Sequence, residues 1–294
     1  MKLHFRAWPL ALVALLLTGL YACNKNDSAA GSAPNANQQK LNIYLSDGPG
    51  YFDAVNLDIR AVEVLVDTCN TDSSNNVGNQ PNRCSWDNGQ WDNRHCAVWD
   101  TLAIRAGVYN LLNLRNGADT LLANGNVVKG DVTRIRITIG NNNSLVKDSV
   151  TYPLGTWNGQ SKVIIYVRRS DWENFSANSF RLWLDFDVDH SVLEVFRGHF
   201  ILNPYIRVFT PNRFGIISGN VGPDAARPVV SLYGDTDTLY ALPWRGGDFS
   251  IRGVTEGTYS LYVNASAGYR DTTISNIEIR GGKTTKVPRI TLHK

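Results

Sequence analysis

The chain has 294 residues, 43% of them hydrophobic and 19% charged, with a formal net charge of +3 at pH 7. That composition supports buried cores and excludes a disordered polymer, and two of the positive charges, Lys2 and Arg6, sit in the leader described next, so nothing basic enough for a nucleic-acid partner remains. Asp outnumbers Glu 21 to 5, Gly and Asn are plentiful, and the balance favours turns and strands over helices.

Residues 1–22 read as a lipoprotein signal peptide. A short positive head (Lys2, Arg6) precedes the apolar run Ala7 to Leu20, and Leu20-Tyr21-Ala22-Cys23 sets a lone cysteine behind a small residue. The run is shorter than the roughly 20 residues of a spanning helix and contains Pro9, so cleavage is the expected outcome. The mature chain then starts at Cys23 with lipid attached. The implied address is the cell envelope, lipid-anchored and at the outer membrane, with the face undetermined. Residues 23–40, rich in Asn, Ser, Ala and Gln, form a flexible tether that spans roughly 20–25 Å on average.

Alternation begins at Leu41, with Leu41, Ile43 and Leu45 pointing one way, and resumes over Val55 to Val66 after the breaker Ser46-Asp47-Gly48-Pro49-Gly50. The 69–96 segment is a long polar insertion holding Cys69, Cys84 and Cys96 with Trp86 and Trp91. Three cysteines in an exported chain imply one local disulfide and one leftover thiol, with all three pairings open. His95 adjoins Cys96, but neighbouring ligands lack the usual spacing of a zinc site. Further strands are expected at Trp99 to Ile104, Tyr109 to Leu114, Val132 to Ile139, Val163 to Val167, Phe180 to Val188 and Tyr205 to Phe209, with short helical turns at Leu111 to Asn116 and Ser170 to Glu173. The whole reads as mostly β, two β-sandwich-like domains at 41–210 and 214–294. The second carries seven short strands: Ile216 to Val221, Val229 to Tyr233, Leu239 to Leu242, Asp248 to Ile251, Gly257 to Ala265, Arg270 to Ile279 and Thr284 to Leu292.

No nucleophile elbow, H-E-x-x-H, phosphate-binding loop or dinucleotide fingerprint occurs, which argues against an enzyme. His95, His190, His199 and His293 have no motif around them. In the segment Phe180 to Asp189, alternation turns Phe180, Leu182, Leu184, Phe186 and Val188 to one side and Arg181, Trp183, Asp185, Asp187 and Asp189 to the other. On a strand the three aspartates share a face about 6.8 Å apart, and a loop carrying Asp47 or Asp53 could complete a calcium site. The balance favours no cofactor, because an outward strand face is ordinarily polar and the calcium-loop glycine is absent. Trp86, Trp91 and Trp183 are expected to be exposed, and exposed rings stack on sugars or anchor protein partners.

A tripeptide of Asp, then Ser or Thr, then in most cases an apolar residue recurs around Ser28, Thr101, Thr120, Ser149, Thr238 and Thr272. It resembles the O-glycan acceptor motif of Bacteroidota surface lipoproteins, although a turn Asp followed by β-forming residues also simply starts strands.

Two family resemblances cover the rest. Leu41-Asn42-Ile43-Tyr44-Leu45-Ser46-Asp47-Gly48-Pro49, Gly130-Asp131-Val132-Thr133-Arg134-Ile135-Arg136 and Leu184-Asp185-Phe186-Asp187-Val188-Asp189 with Leu202-Asn203-Pro204-Tyr205 resemble the lipoprotein domain family DUF4382 over roughly 41–210. That resemblance implies export and transfers no catalytic residue. Ile217-Ser218-Gly219-Asn220-Val221, Gly247-Asp248-Phe249-Ser250-Ile251 and Gly253-Val254-Thr255-Glu256-Gly257-Thr258-Tyr259 resemble the carboxypeptidase regulatory-like family, a transthyretin-like sandwich used as a stalk or spacer. The combined expectation is a non-catalytic binding or adhesion module for glycan or extracellular protein, contacting its partner through the 69–96 loop and the membrane through Cys23. A structural envelope component is the alternative, and a hydrolase around Asp185 and Asp187 the third.

Overall fold

The computed structural model describes residues 33–48, 50–68, 86–87, 90–91, 97–159, 161–235 and 238–294. The leader, Cys23, Ser28, Cys69, Cys84 and Cys96 fall outside the described residues, as does most of the 69–96 insertion.

The fold is mostly β and sandwich-like. Its opening strand is Gln38–Asp47, three residues ahead of the expected start, so the last part of the presumed tether is already paired. Leu41, Ile43 and Leu45 are at most 1% exposed, as their alternation demands. This strand runs parallel to Ser179–Phe186 and antiparallel to Thr120–Val128. The long strand Ala54–Asp67 crosses the same sheet. It pairs with Ala97–Ile104 and Gly107–Asn110 along one edge and with Asp131–Ile139 and Ser144–Lys147 along the other. Fourteen strands join into one mixed sheet around a single apolar core. Several of them, Thr120–Val128, Ser144–Lys147, Val150–Thr156, Glu173–Ser176, Val192–Phe196 and His199–Leu202, carry no clean alternation; neighbouring ladders impose their extension.

Three local expectations change. Tyr109 to Leu114 divides into the strand Gly107–Asn110 and a 3-10 turn Leu111–Leu114, because the Asn110 side chain accepts the Leu112 N–H and caps the turn. The strand at Phe180 stops at Phe186. Asp187 caps the single helical turn Val188–Ser191 through the His190 N–H at 3.1 Å, which takes Asp187 and Asp189 off the strand. In the insertion, Trp86–Asp87 pairs with Gln90–Trp91 as a two-stranded hairpin.

The C-terminal part holds a second core between two four-stranded sheets. One contains Gly215–Gly222, Asp248–Val254, Thr284–Lys286 and Ile290–Thr291; the other contains Val229–Tyr233, Thr238–Ala241, Gly257–Asn264 and Thr272–Ile279. There are thus eight strands where seven were expected. The last predicted one breaks at Val287-Pro288-Arg289, where Pro288 has no N–H to donate to a ladder.

Candidate functional site

Both β-structures belong to one compact unit, Ala33–Lys294, and the contact between them buries the strand face expected to be solvated. Trp183 is 6% exposed, against the expectation of an exposed platform. Its ring stacks on Tyr44 at 4.8 Å and lies 6.2 Å from Phe209, and Phe209 in turn touches the position where a Gly253 Cβ would sit. The Trp183 Nε1 donates to Asp119 Oδ2 at 2.9 Å, and the same oxygen accepts from Arg252 Nη1 of the second sandwich at 2.8 Å. Alternation reports only that one face of a strand is apolar. Here a second β-structure covers the polar face as well.

Where the two β-structures meet beside Asp185 lies a cavity of about 40 Å³, room for one or two waters. Asp47, Asp185 and Asp187 line it from the first core; Thr238, Tyr240, Ser250 and Arg252 close it from the second. The structure therefore brings Asp47 to the two strand aspartates, while Asp53 lies elsewhere and accepts the Ser149 N–H. The three expected calcium ligands nonetheless do not share a face. Asp185 is held by Arg207 at 2.5 Å and accepts the Ser46 hydroxyl, Asp187 accepts the His190 Nδ1 at 2.9 Å besides capping its turn, and Asp189 is exposed. Among the described residues no three His, Cys, Asp or Glu side chains converge as a metal site.

Asp47 is the anomaly in this group. It is 6% exposed, and neither carboxylate oxygen makes a hydrogen bond of full strength, the nearby Val188 N–H being poorly placed. Burial raises its pKa well above the usual carboxylate range, and the charges of Asp185 and Asp187 push the same way against weaker opposition from the Val188 N–H and Arg115. Burial raises Asp185 too, although Arg207 pulls it down. An open cleft of about 430 Å³ shares Asp187, Arg207, Thr238 and Tyr240 with this cavity, and His190 and Tyr205 stand at its side. The Ser46 hydroxyl donates to Asp185 Oδ1 at 3.3 Å, and Arg207 holds the same carboxylate, so that carboxylate is occupied by a cation rather than free to serve as a base.

A different tryptophan meets the description of a platform. Trp244 sits in the turn Pro243-Trp244-Arg245-Gly246-Gly247 and is 39% exposed. The turn's backbone is tied at five points: Trp244 N to Asp248 O, Gly247 N to Trp244 O, Gly246 N to the Asp224 carboxylate, Asn220 Nδ2 to Gly246 O, and Val221 N to Gly247 O. On the ring itself rests the guanidinium of Arg115 from the first core, at 4.4 Å, while Asn116 Nδ2 donates to Leu242 O at 2.7 Å. The ring thus stands between two open clefts. One, of about 480 Å³, holds Tyr51, Arg227 and Arg245; the other, of about 450 Å³, holds Asn220, Lys286 and Arg289. Both fall in the size range of small-ligand sites. The signal that would have exposed Trp244 in the sequence is its place in a Pro-x-x-Gly-Gly turn, where no strand period can bury it.

Residues 38–204 match the family described as a domain of unknown function, DUF4382. The chain belongs to that family. The DUF4382 match starts where the opening strand starts and includes Asp47, Asp185 and Asp187, but neither Trp244 nor any of the second core. A search of curated proteins finds no match. Among solved structures, a type II cohesin–X-dockerin complex from Acetivibrio cellulolyticus is 22% identical over 26% of this chain and 56% of that one, with a TM-score of 0.23. The TIE protein of Bacillus anthracis is 10% identical over 87% of this chain and 34% of that one, at 0.22. The minor pilin GBS52 of Streptococcus agalactiae is 12% identical over 87% and 97%, at 0.21. This chain thus spans little more than half of the first and about a third of the second, and at such TM-scores none of these likenesses carries an argument.

The acceptor-like tripeptides fall on ordinary structural positions. Thr120, Thr238 and Thr272 each begin a strand, Ser149 lies in the turn between Ser144–Lys147 and Val150–Thr156, and Thr101 is exposed within Ala97–Ile104. Three of their aspartates are occupied: Asp100 accepts the Val128 N–H, Asp119 bridges Trp183 and Arg252, and Asp271 accepts from Ala265 N and the Tyr262 hydroxyl.

Proposed function

We propose that this DUF4382 chain is a lipid-anchored envelope module that binds a glycan and does not turn it over. The observation that carries the proposal is the Trp244 turn: a large exposed ring, fixed by backbone bonds and a cation beneath it, offered between two clefts. A pre-organised ring loses little freedom when a sugar face stacks on it. The second sandwich, read as a carboxypeptidase regulatory-like spacer, both supplies this ring and holds it against the first core. Arg207 occupies the Asp185 carboxylate that would have to take a proton from Ser46, which favours binding over hydrolysis.

On a broad glycan array the full chain is expected to retain a defined set of sugars, and Trp244→Ala to weaken that binding at least tenfold, the scale of an aromatic hot spot. Trp244→Tyr, which keeps a ring over Arg115, restores most of it. Equal binding by the alanine variant would sink the assignment. The anchor has its own test: Cys23→Ala releases the chain from the membrane fraction of expressing cells, and retention there would remove lipid at Cys23 from the account.

A further inference from the structure

Resting on that glycan reading, we infer that the clefts beside Trp244 select an acidic glycan, a sugar chain bearing carboxylate or sulfate groups. Four exposed cations flank the ring, Arg227 and Arg245 on one side and Lys286 and Arg289 on the other. None of them is ion-paired among the described residues.

Among the described residues, the only acids lining these clefts are Asp224 and Asp248, and both carboxylates already accept hydrogen bonds. Asp224 accepts the Gly246 N–H with both oxygens, at 3.0 and 3.2 Å, and Asp248 accepts Asn220 Nδ2 at 2.9 Å. Both carboxylates brace the Trp244 turn, and the four cations outnumber them. The surface around the ring is therefore net positive on a chain whose overall charge is close to neutral.

Arg227 adds a further observation. It holds a left-handed backbone (φ 46, ψ 57) at the end of the turn Asp224–Ala226, a conformation that costs a bulky residue about 1–2 kcal/mol and that glycine or asparagine would adopt more readily. An arginine kept there sets a planar, five-donor fork at the mouth of the cleft that also contains Tyr51. Planar forks suit carboxylate and sulfate oxygens, and the ring between the two cationic pairs suits the apolar face of a pyranose. A sugar chain lying across Trp244 meets one pair of cations on each side.

The full-length chain in detergent is titrated with polygalacturonate, dextran sulfate and neutral dextran at low and high salt. Binding to one or both acidic polymers, at least tenfold tighter than to dextran and weakening with salt, is expected. Which polymer wins distinguishes carboxylate from sulfate. The triple variant Arg227→Gln/Arg245→Gln/Arg289→Gln is expected to lose tenfold or more for the acidic polymer, with Arg227→Lys alone recovering less than wild type because an ammonium lacks the fork. Binding of a neutral glycan that depends on Trp244 and ignores the triple variant would overturn the acidic assignment and leave the platform standing. Single-stranded DNA binding as tightly as either polymer would reduce the clefts to a generic polyanion surface and overturn it as well. No glycan binding at all would end both proposals.

Discussion

Alanine at Gly247 lowers stability by roughly 2–5 kcal/mol, while alanine at the neighbouring Gly246 costs only about 1–2 kcal/mol. Both glycines have left-handed backbone, φ +88 and φ +95 respectively, so any side chain at either carries the same conformational penalty. They differ in their surroundings. A Cβ on Gly246 meets nothing within 4 Å, whereas one on Gly247 lies 1.9 Å from the carbonyl oxygen of Val221. That carbonyl belongs to a core strand, and the Val221 N–H donates to Gly247 O at 2.9 Å, so relief of the clash breaks a backbone bond of the sandwich. Urea unfolding of both variants measures the difference directly. Equal losses would mean the strand yields freely and the Trp244 turn is not the rigid mount described above.

Replacing Asp47 with Asn is expected to stabilise the chain by about 1–3 kcal/mol at about pH 8 and to change little at about pH 4. The sign follows from the direction of the shift. Burial, then Asp185 and Asp187, raise the folded-state pKa of Asp47 above its ordinary value of 3.8. The folded form therefore holds the proton more tightly than the unfolded one, and the associated stability is full below the unfolded pKa and is lost as pH rises through the folded one. Asparagine keeps the shape and cannot ionise, so its advantage grows across that window. Chemical denaturation at a series of pH values reads the gap. A gap that stays constant, or that closes as pH rises, would show that the Asp47 carboxylate has found a partner.

The DUF4382 part and the second sandwich were legible in the sequence to different depths. Strong two-residue alternation at Leu41-Ile43-Leu45 and Val62-Val64-Val66 marks strands whatever packs on them, because one face must be buried. Thr120–Val128, with Asn124, Gly125 and Asn126 in its middle, has no such mark; it is a strand because Gln38–Asp47 and Ala97–Ile104 supply its ladder partners. The site was harder to see. Trp183 and Trp244 are both large aromatic residues beside charges, and their pattern alone assigned exposure to Trp183.

Sequence by itself determined that the chain is mostly β, which family it belongs to, where its strongest strands lie and that its turns fall at glycine and proline. These are local properties, set by side-chain period and by backbone angles that few residues adopt. Which polar residues are buried was decided only when the second sandwich packed onto the first core. That contact hides Trp183, Asp185 and Asp47, ties Asp119 to Arg252, and leaves Trp244 standing between two clefts over Arg115. Burial is a property of surfaces brought together from distant parts of the chain, and no period within a single strand encodes its partner.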